Sequence, residues 1–193
     1  MQSFTLTSDD RIESFSIRGD FSADSNQIIN EDIYGASFWD FIVGDPTRNL
    51  LNALIFTARR EQRALDLPYR CDTLLEKRIF VMRIVPLKAD AIEIEHILYD
   101  REKIRRKEKN LDHPPISDLD RCSICCSFDV EGEWIDIFPN KNDDVAPKSY
   151  TVCKSCKRMA LDLISEHKPM RSDHLLRNTG LTYSPDKKSR FIL

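Results

Sequence analysis

The chain has 193 residues, enough for one ordinary domain and a small satellite. With 41% hydrophobic and 32% charged residues it is too apolar to stay disordered, and 29 basic against 32 acidic side chains leave a net charge of -3, too balanced to announce a nucleic-acid partner or an acidic substrate. No apolar run approaches the roughly 20 residues that span a bilayer, and the opening MQSFTLTSDDRIESF lacks a basic or apolar export region, so no membrane partner and a cytoplasmic location are expected.

In chain order, RIESFSIRGDF offers Ile12, Phe15, Ile17 and Phe21 as the apolar positions of a strand or hairpin. An apolar knot follows, Phe38, Trp39, Phe41, Ile42 and Val43, and Gly44-Asp45-Pro46 then forms a turn that starts a helix. Pro46 suits the first helical position, where its missing N–H costs nothing. Leu50, Leu51, Leu54, Ile55 and Ala58 recur at three-and-four spacing, which predicts a helix from Pro46 to Arg60 with one buried face. Three strands are predicted next, ALDLPYRCD, KRIFVMRIVPL and AIEIEHILY; short connections make them an antiparallel meander.

The segment DREKIRRKEKNLDHPPISDLDR is dominated by charge and carries Pro114-Pro115, so residues 100–121 read as a linker holding a short exposed helix. It divides a domain of residues 1–99 from a cysteine module of 122–167 and a basic tail of 168–193. Residues from about 11 to 99 carry their own helix, sheet and knot, and are expected to fold alone. In the tail, Ser172 and Gly180 could bracket one more short helix.

Six cysteines without an export signal point to a reducing compartment, where paired Cys-x-x-Cys spacings serve metals more often than disulfides. Cys122, Cys125, Cys153 and Cys156 form two such pairs, CSIC and CKSC, with 27 residues between them. Each turn presents two thiolates at the separation that zinc requires, and four thiolates close a tetrahedral shell. One structural Zn2+ per chain is therefore expected, with no position left for substrate. Cys126 could replace Cys125, although Cys122 and Cys125 have the better spacing; Cys71 reads as a buried apolar residue, and His113 and His167 are not needed. Between the pairs, EGEWIDIF and KSYTV are predicted to form a hairpin across NKNDDVAPK. After them KRMALDLISEH forms a helix with Met159, Leu161, Leu163 and Ile164 on its apolar positions. Knuckle, hairpin and a helix carrying the last ligands resemble a treble-clef zinc finger over some 45 residues.

The run IINEDIYGASFWDFI, the helix TRNLLNALIFTAR and the meander LPYRCDTLLEKRIFVMRIVPL with AIEIEHILY resemble a PAS-like sensory domain over about residues 11 to 99. Through FWDFI and PYRCD the chain also resembles small stand-alone bacterial PAS-like proteins, and the cysteine module is similar to sensor-protein tails in which two Cys-x-x-Cys pairs flank a Trp-containing strand. Those tails usually carry His-Gly before the third cysteine; Tyr150-Thr151-Val152 stands here instead. The fold class implied is α+β: a PAS-like antiparallel sheet with helices, then a treble-clef-like zinc module. Trp39, Phe41 and Phe80 could line a PAS-type pocket or simply belong to the core. A haem would need a histidine before Glu95 and a photo-active flavin a Cys-Asn pair in the helix region; neither is present.

Five glycines, at 19, 35, 44, 132 and 180, make no phosphate-binding loop, and the histidines at 96, 113, 167 and 174 make no catalytic grouping, so the chain is not expected to be an enzyme. The expectation is a non-catalytic regulatory or adaptor protein acting through a protein partner or a homodimer, with a small-molecule ligand as a further partner. The alternative is a nucleic-acid-binding zinc-finger protein. It draws on the cluster from Arg101 to Lys109, diluted by Glu102 and Glu108, and on the tail, where six basic residues (Lys168, Arg171, Arg177, Lys187, Lys188, Arg190) face two acidic ones (Asp173, Asp186), a balance of +4.

Overall fold

A computed structural model describes residues 1–17, 33–73, 75–104, 114–138 and 146–165. Phe21, the linker helix, His113, His167, the short tail helix and the basic tail lie outside the described residues.

The larger sheet has five antiparallel strands, β1 (Gln2–Leu6), β2 (Ile12–Ile17), β3 (Leu65–Arg70), β4 (Glu76–Pro86) and β5 (Ile92–Lys103), in the order β2-β1-β5-β4-β3. The meander β3-β4-β5 is the one its alternation predicts. Strand β1 is not among the predicted strands; its Phe4 and Leu6 oppose Ile94 and Ile92 of β5, and β5 continues through Lys103 into the predicted linker.

Strand alternation sorts the side chains into rows across one face. Phe4, Ile94, Ile84 and Leu65 stand opposite one another, as do His96, Met82 and Leu67, and then Leu98, Phe80 and Tyr69. On the other face Arg83 pairs with Asp66, Nε to Oδ1 at 2.8 Å. Helix α1 (Asp45–Glu61) covers the apolar face with Leu50, Leu51, Leu54, Ile55 and Ala58, all buried, as their spacing predicts. Its Gly44 lead-in has φ of 87°, a conformation that costs glycine little, and Gln62 closes the helix in the left-handed region. The knot forms a 3-10 turn, Phe38–Phe41. It is fixed by Trp39 Nε1 donating to Asp10 Oδ2 at 2.9 Å, while Arg59 of α1 reaches Asp10 Oδ1 at 2.7 Å.

The second, four-stranded sheet is built from β6 (Asp120–Cys122), β7 (Phe128–Val130), β8 (Glu133–Ile135) and β9 (Ser149–Thr151), in the order β8-β7-β6-β9, and is followed by α2 (Lys154–Ser165). The hairpin differs from the predicted one. Phe128–Val130 turns back on Glu133–Ile135 through Glu131 and Gly132, both with positive φ (55° and 91°), and Gly132 N donates to Asp129 Oδ1 at 2.8 Å. Two consecutive positive-φ residues match the twist of a tight hairpin, so the local turn prevails over the longer NKNDDVAPK connection. KSYTV pairs instead with β6, in parallel. In α2 the buried positions are Cys156, Met159, Ala160 and Leu163, whereas Leu161, expected on the apolar face, is half exposed. Counting from Cys156, positions 159, 160 and 163 follow the helical stripe and 161 falls off it.

The two sheets share one hydrophobic cluster, in which Leu50, Leu54, Leu65 and Leu67 are continuous with Cys122, Ile124, Cys153, Met159, Ala160 and Leu163. Polar contacts fix the junction. Arg70 N, on the edge strand β3, donates to Ile124 O at 2.7 Å, Thr47 Oγ1 lies 2.7 Å from Ser123 Oγ, and the Arg63 guanidinium donates to the carbonyls of Leu163 and Ile164 at 3.3 Å. The last contact places a cation beside carbonyls in the last described turn of α2. Among the described residues no helix is long and apolar enough to cross a membrane.

Candidate metal centre

The knuckle between β6 and β7 is shaped by backbone bonds. Cys122 N donates to Ser127 O at 2.8 Å and Cys126 N to Cys122 O at 3.0 Å, and Cys126 takes a φ of 62°. That twist turns the Cys126 side chain out of the knuckle. Its sulfur meets Arg70 O at 3.3 Å on the sheet edge, and Cys125 is left to face the other pair. The backbone at Cys126 thus leaves Cys122 and Cys125 as the pair that faces the second turn.

The second pair lies at the start of α2. Lys157 N donates to Cys153 O at 2.9 Å, the first bond of the helix, and Cys156 N donates to Cys153 Sγ at 3.4 Å. Cys153 therefore stands as the N-cap, its sulfur taking the amide bond that a serine or aspartate oxygen usually takes. Cys153 N donates across to Cys122 Sγ at 3.4 Å. Amide donors of this kind support thiolate ligands by drawing charge from the sulfurs.

The sulfurs of Cys122, Cys125, Cys153 and Cys156 all lie within 4.8 Å of one another, and Cys125 Sγ and Cys153 Sγ are 3.9 Å apart. A tetrahedron with metal–sulfur bonds of about 2.3 Å separates its sulfurs by about 3.8 Å. The four cysteines could hold a metal ion, and the donor set fits one that accepts four thiolates. Hydrogen bonding to Cys122 lowers the Cys125 and Cys153 thiols, while contacts among the sulfurs raise Cys122 and Cys156. Four thiolates around a divalent ion would keep two net negative charges. Lys154, Lys157 and Arg158 on the first turns of α2 are exposed and of the right sign to balance them, although at a helix N-terminus they oppose the helix dipole.

Beside the cluster, the Arg70 guanidinium is buried between Asp72, a close pair, and Asp136 Oδ1 at 2.9 Å, and Lys77 Nζ holds Asp136 Oδ2 at 2.8 Å. Burial alone would weaken the charge on Arg70; the two carboxylates together outweigh it and hold its pKa above the ordinary value. Asp136 belongs to the cysteine unit and Asp72 to the sheet unit, so Arg70 joins the two. Sequence reasoning missed this residue, since partners 66 positions apart leave no local pattern.

Of the other residues singled out, Phe80 is buried and stacked on Tyr69 at 5.4 Å, Trp39 is tied to Asp10, and Phe41 is half exposed. Cys71, expected in the core, is exposed beside the Arg78 guanidinium at 3.7 Å. It follows Arg70, where β3 ends and its side chain leaves the covered edge. His96, an alternating position of AIEIEHILY, faces the same row as Met82 and Leu67. Its Nδ1 lies 2.7 Å from the Tyr69 hydroxyl, with Phe4 edge-on at 5.7 Å, and burial pushes its pKa down to about 4. A neutral imidazole accepting from the phenol fits that surrounding.

No family model, curated protein or solved structure matches the chain.

Proposed function

We propose that Cys122, Cys125, Cys153 and Cys156 hold one structural zinc ion, and that the protein is a non-catalytic, cytoplasmic regulatory or adaptor protein. In this reading a PAS-like domain dimerises or senses a small ligand, and a treble-clef-like module meets a protein partner. The observation that carries it is the closed set of four sulfurs built into the same core as the sheet. Zinc suits a site without redox demand, and a full thiolate shell leaves no position for substrate. A hairpin, a crossing helix and a closing meander on one antiparallel sheet support the PAS-like part. A knuckle followed by a hairpin and a ligand-bearing helix supports the treble-clef part.

A second reading, nucleic-acid binding, draws on the exposed Lys154, Lys157 and Arg158 together with the basic tail composition. The two readings part in a titration with labelled DNA and RNA at two salt concentrations. Duplex binding through phosphates weakens with a log–log slope of roughly -0.9 per contact. Absence of binding in low salt, with a dimer or retained small molecule in native mass spectrometry, supports the adaptor reading; micromolar or tighter salt-sensitive binding overturns it.

A further inference from the structure

We propose that Cys125 is a peroxide-reactive thiolate of the metal cluster, that Cys153 is its disulfide partner, and that their oxidation releases the metal. The inference rests on the zinc reading above. Of the four clustered cysteines, Cys122, Cys153 and Cys156 are each no more than 5% exposed, and Cys125 alone is half-buried. Access is provided by a cavity of about 280 Å³ at the junction of the two units, lined by Cys125, Cys156, Ser127, Trp134, Lys77 and Pro68 among others. Such a space admits molecules far larger than hydrogen peroxide. Reactivity of a thiolate follows its access as well as its charge; of the two cysteines that border the cavity Cys156 is 5% exposed and Cys125 half-buried, so Cys125 reacts first.

The chemistry balances with hydrogen peroxide as the oxidant. Cys125 sulfur attacks one peroxide oxygen, an S–O bond forms as the O–O bond breaks, and hydroxide leaves; the sulfur loses two electrons and becomes a sulfenic acid. Ser127 Oγ, 3.4 Å from that sulfur, is placed to hydrogen-bond the departing oxygen. Cys153 thiolate, with its sulfur 3.9 Å away, then attacks the sulfenic sulfur and expels a second hydroxide, closing the disulfide. Solvent protons convert both hydroxides to water. Two of four ligands are thereby lost to the metal. Cys153 is also the N-cap of α2, whose Met159, Ala160 and Leu163 lie in the shared core, so the same step loosens the packing at the sheet edge.

The test uses the full chain, purified with zinc, and begins with its zinc content. Hydrogen peroxide is added, released zinc is read with a chromogenic chelator, and thiols are mapped by alkylation and mass spectrometry. The expected result is zinc release in step with a Cys125–Cys153 disulfide. Trp134→Ala, which widens the cavity, should accelerate release several-fold, and Cys71→Ser should leave it unchanged. Retention of zinc at peroxide levels that fully oxidise Cys71 overturns the proposal while leaving the zinc reading intact; so does release with a disulfide that excludes Cys125. Protein that arrives without zinc overturns both.

Discussion

Replacing Arg70 with methionine tests whether the two units behave as one folded body. The guanidinium is 8% exposed, and its loss strands Asp72, itself 8% exposed, while Asp136, 37% exposed, can turn to water. Removing one member of a buried ion pair typically costs about 3–5 kcal/mol, whereas an exposed partner contributes about 1 kcal/mol or less. Asp72 keeps one bond, from Arg78 N at 3.1 Å, so Arg70→Met should cost about 3 kcal/mol, the low end of that range. Asp136→Asn should cost about 1 kcal/mol or less. Adding Asp72→Asn to Arg70→Met removes the stranded charge and should recover at least half of the loss. The assay is urea unfolding of the metal-loaded chain, with Trp39 reporting the sheet unit and Trp134 the cysteine unit in single-tryptophan backgrounds. Both reporters are expected to move together. A loss below about 1 kcal/mol for Arg70→Met, or no recovery in the double variant, would refute the assignment of Arg70 as the buried joint.

Three further outcomes follow from particular contacts. Gly44→Ala should destabilise by at least about 2 kcal/mol, because its φ is 87° and a Cβ there would stand 2.3 Å from Tyr150 O; thermal unfolding checks this, and a neutral effect would count against that close approach. His96 is held neutral in the fold, with a pKa of about 4 against 6.5 unfolded, so the unfolded chain binds the extra proton between those values. Stability unaffected above pH 6.5 should therefore fall as pH drops toward 4, by up to about 3 kcal/mol, and His96→Phe should flatten that part of the profile measured by urea titration. Leu163→Ala, emptying a buried position of α2, should cost about 2–5 kcal/mol and lower the unfolding midpoint of both tryptophan reporters.

Sequence patterns revealed what is local. Leu50, Leu51, Leu54, Ile55 and Ala58 repeat at the helical period and all are buried in α1; the three meander strands alternate and fall within a residue or two of their predicted starts. The cluster of four cysteines was legible because two Cys-x-x-Cys turns, the spacing a metal site would need, are a tighter local pattern than packing leaves. Long-range pairings left no such trace. Strand β1 has five residues, too short for its alternation to stand out, and is fixed by pairing with β5 some ninety positions later. The parallel union of Cys122 with Thr151, the Arg70–Asp136 pair and the shared core are likewise set by tertiary contact. Leu161 shows the remaining difficulty: an apolar residue near a helical stripe need not lie on it.

In the proposed reading four cysteines bind one zinc, and the ion ties the cysteine unit into the core that it shares with the sheet. Elemental analysis of the purified wild type and of Cys153→Ser, each paired with urea unfolding, tests it most directly. One zinc per wild-type chain, its loss in the variant, and a lower unfolding midpoint at both Trp39 and Trp134 are expected. Wild-type protein without stoichiometric metal, or a Cys153→Ser variant that keeps its zinc and its stability, would contradict it.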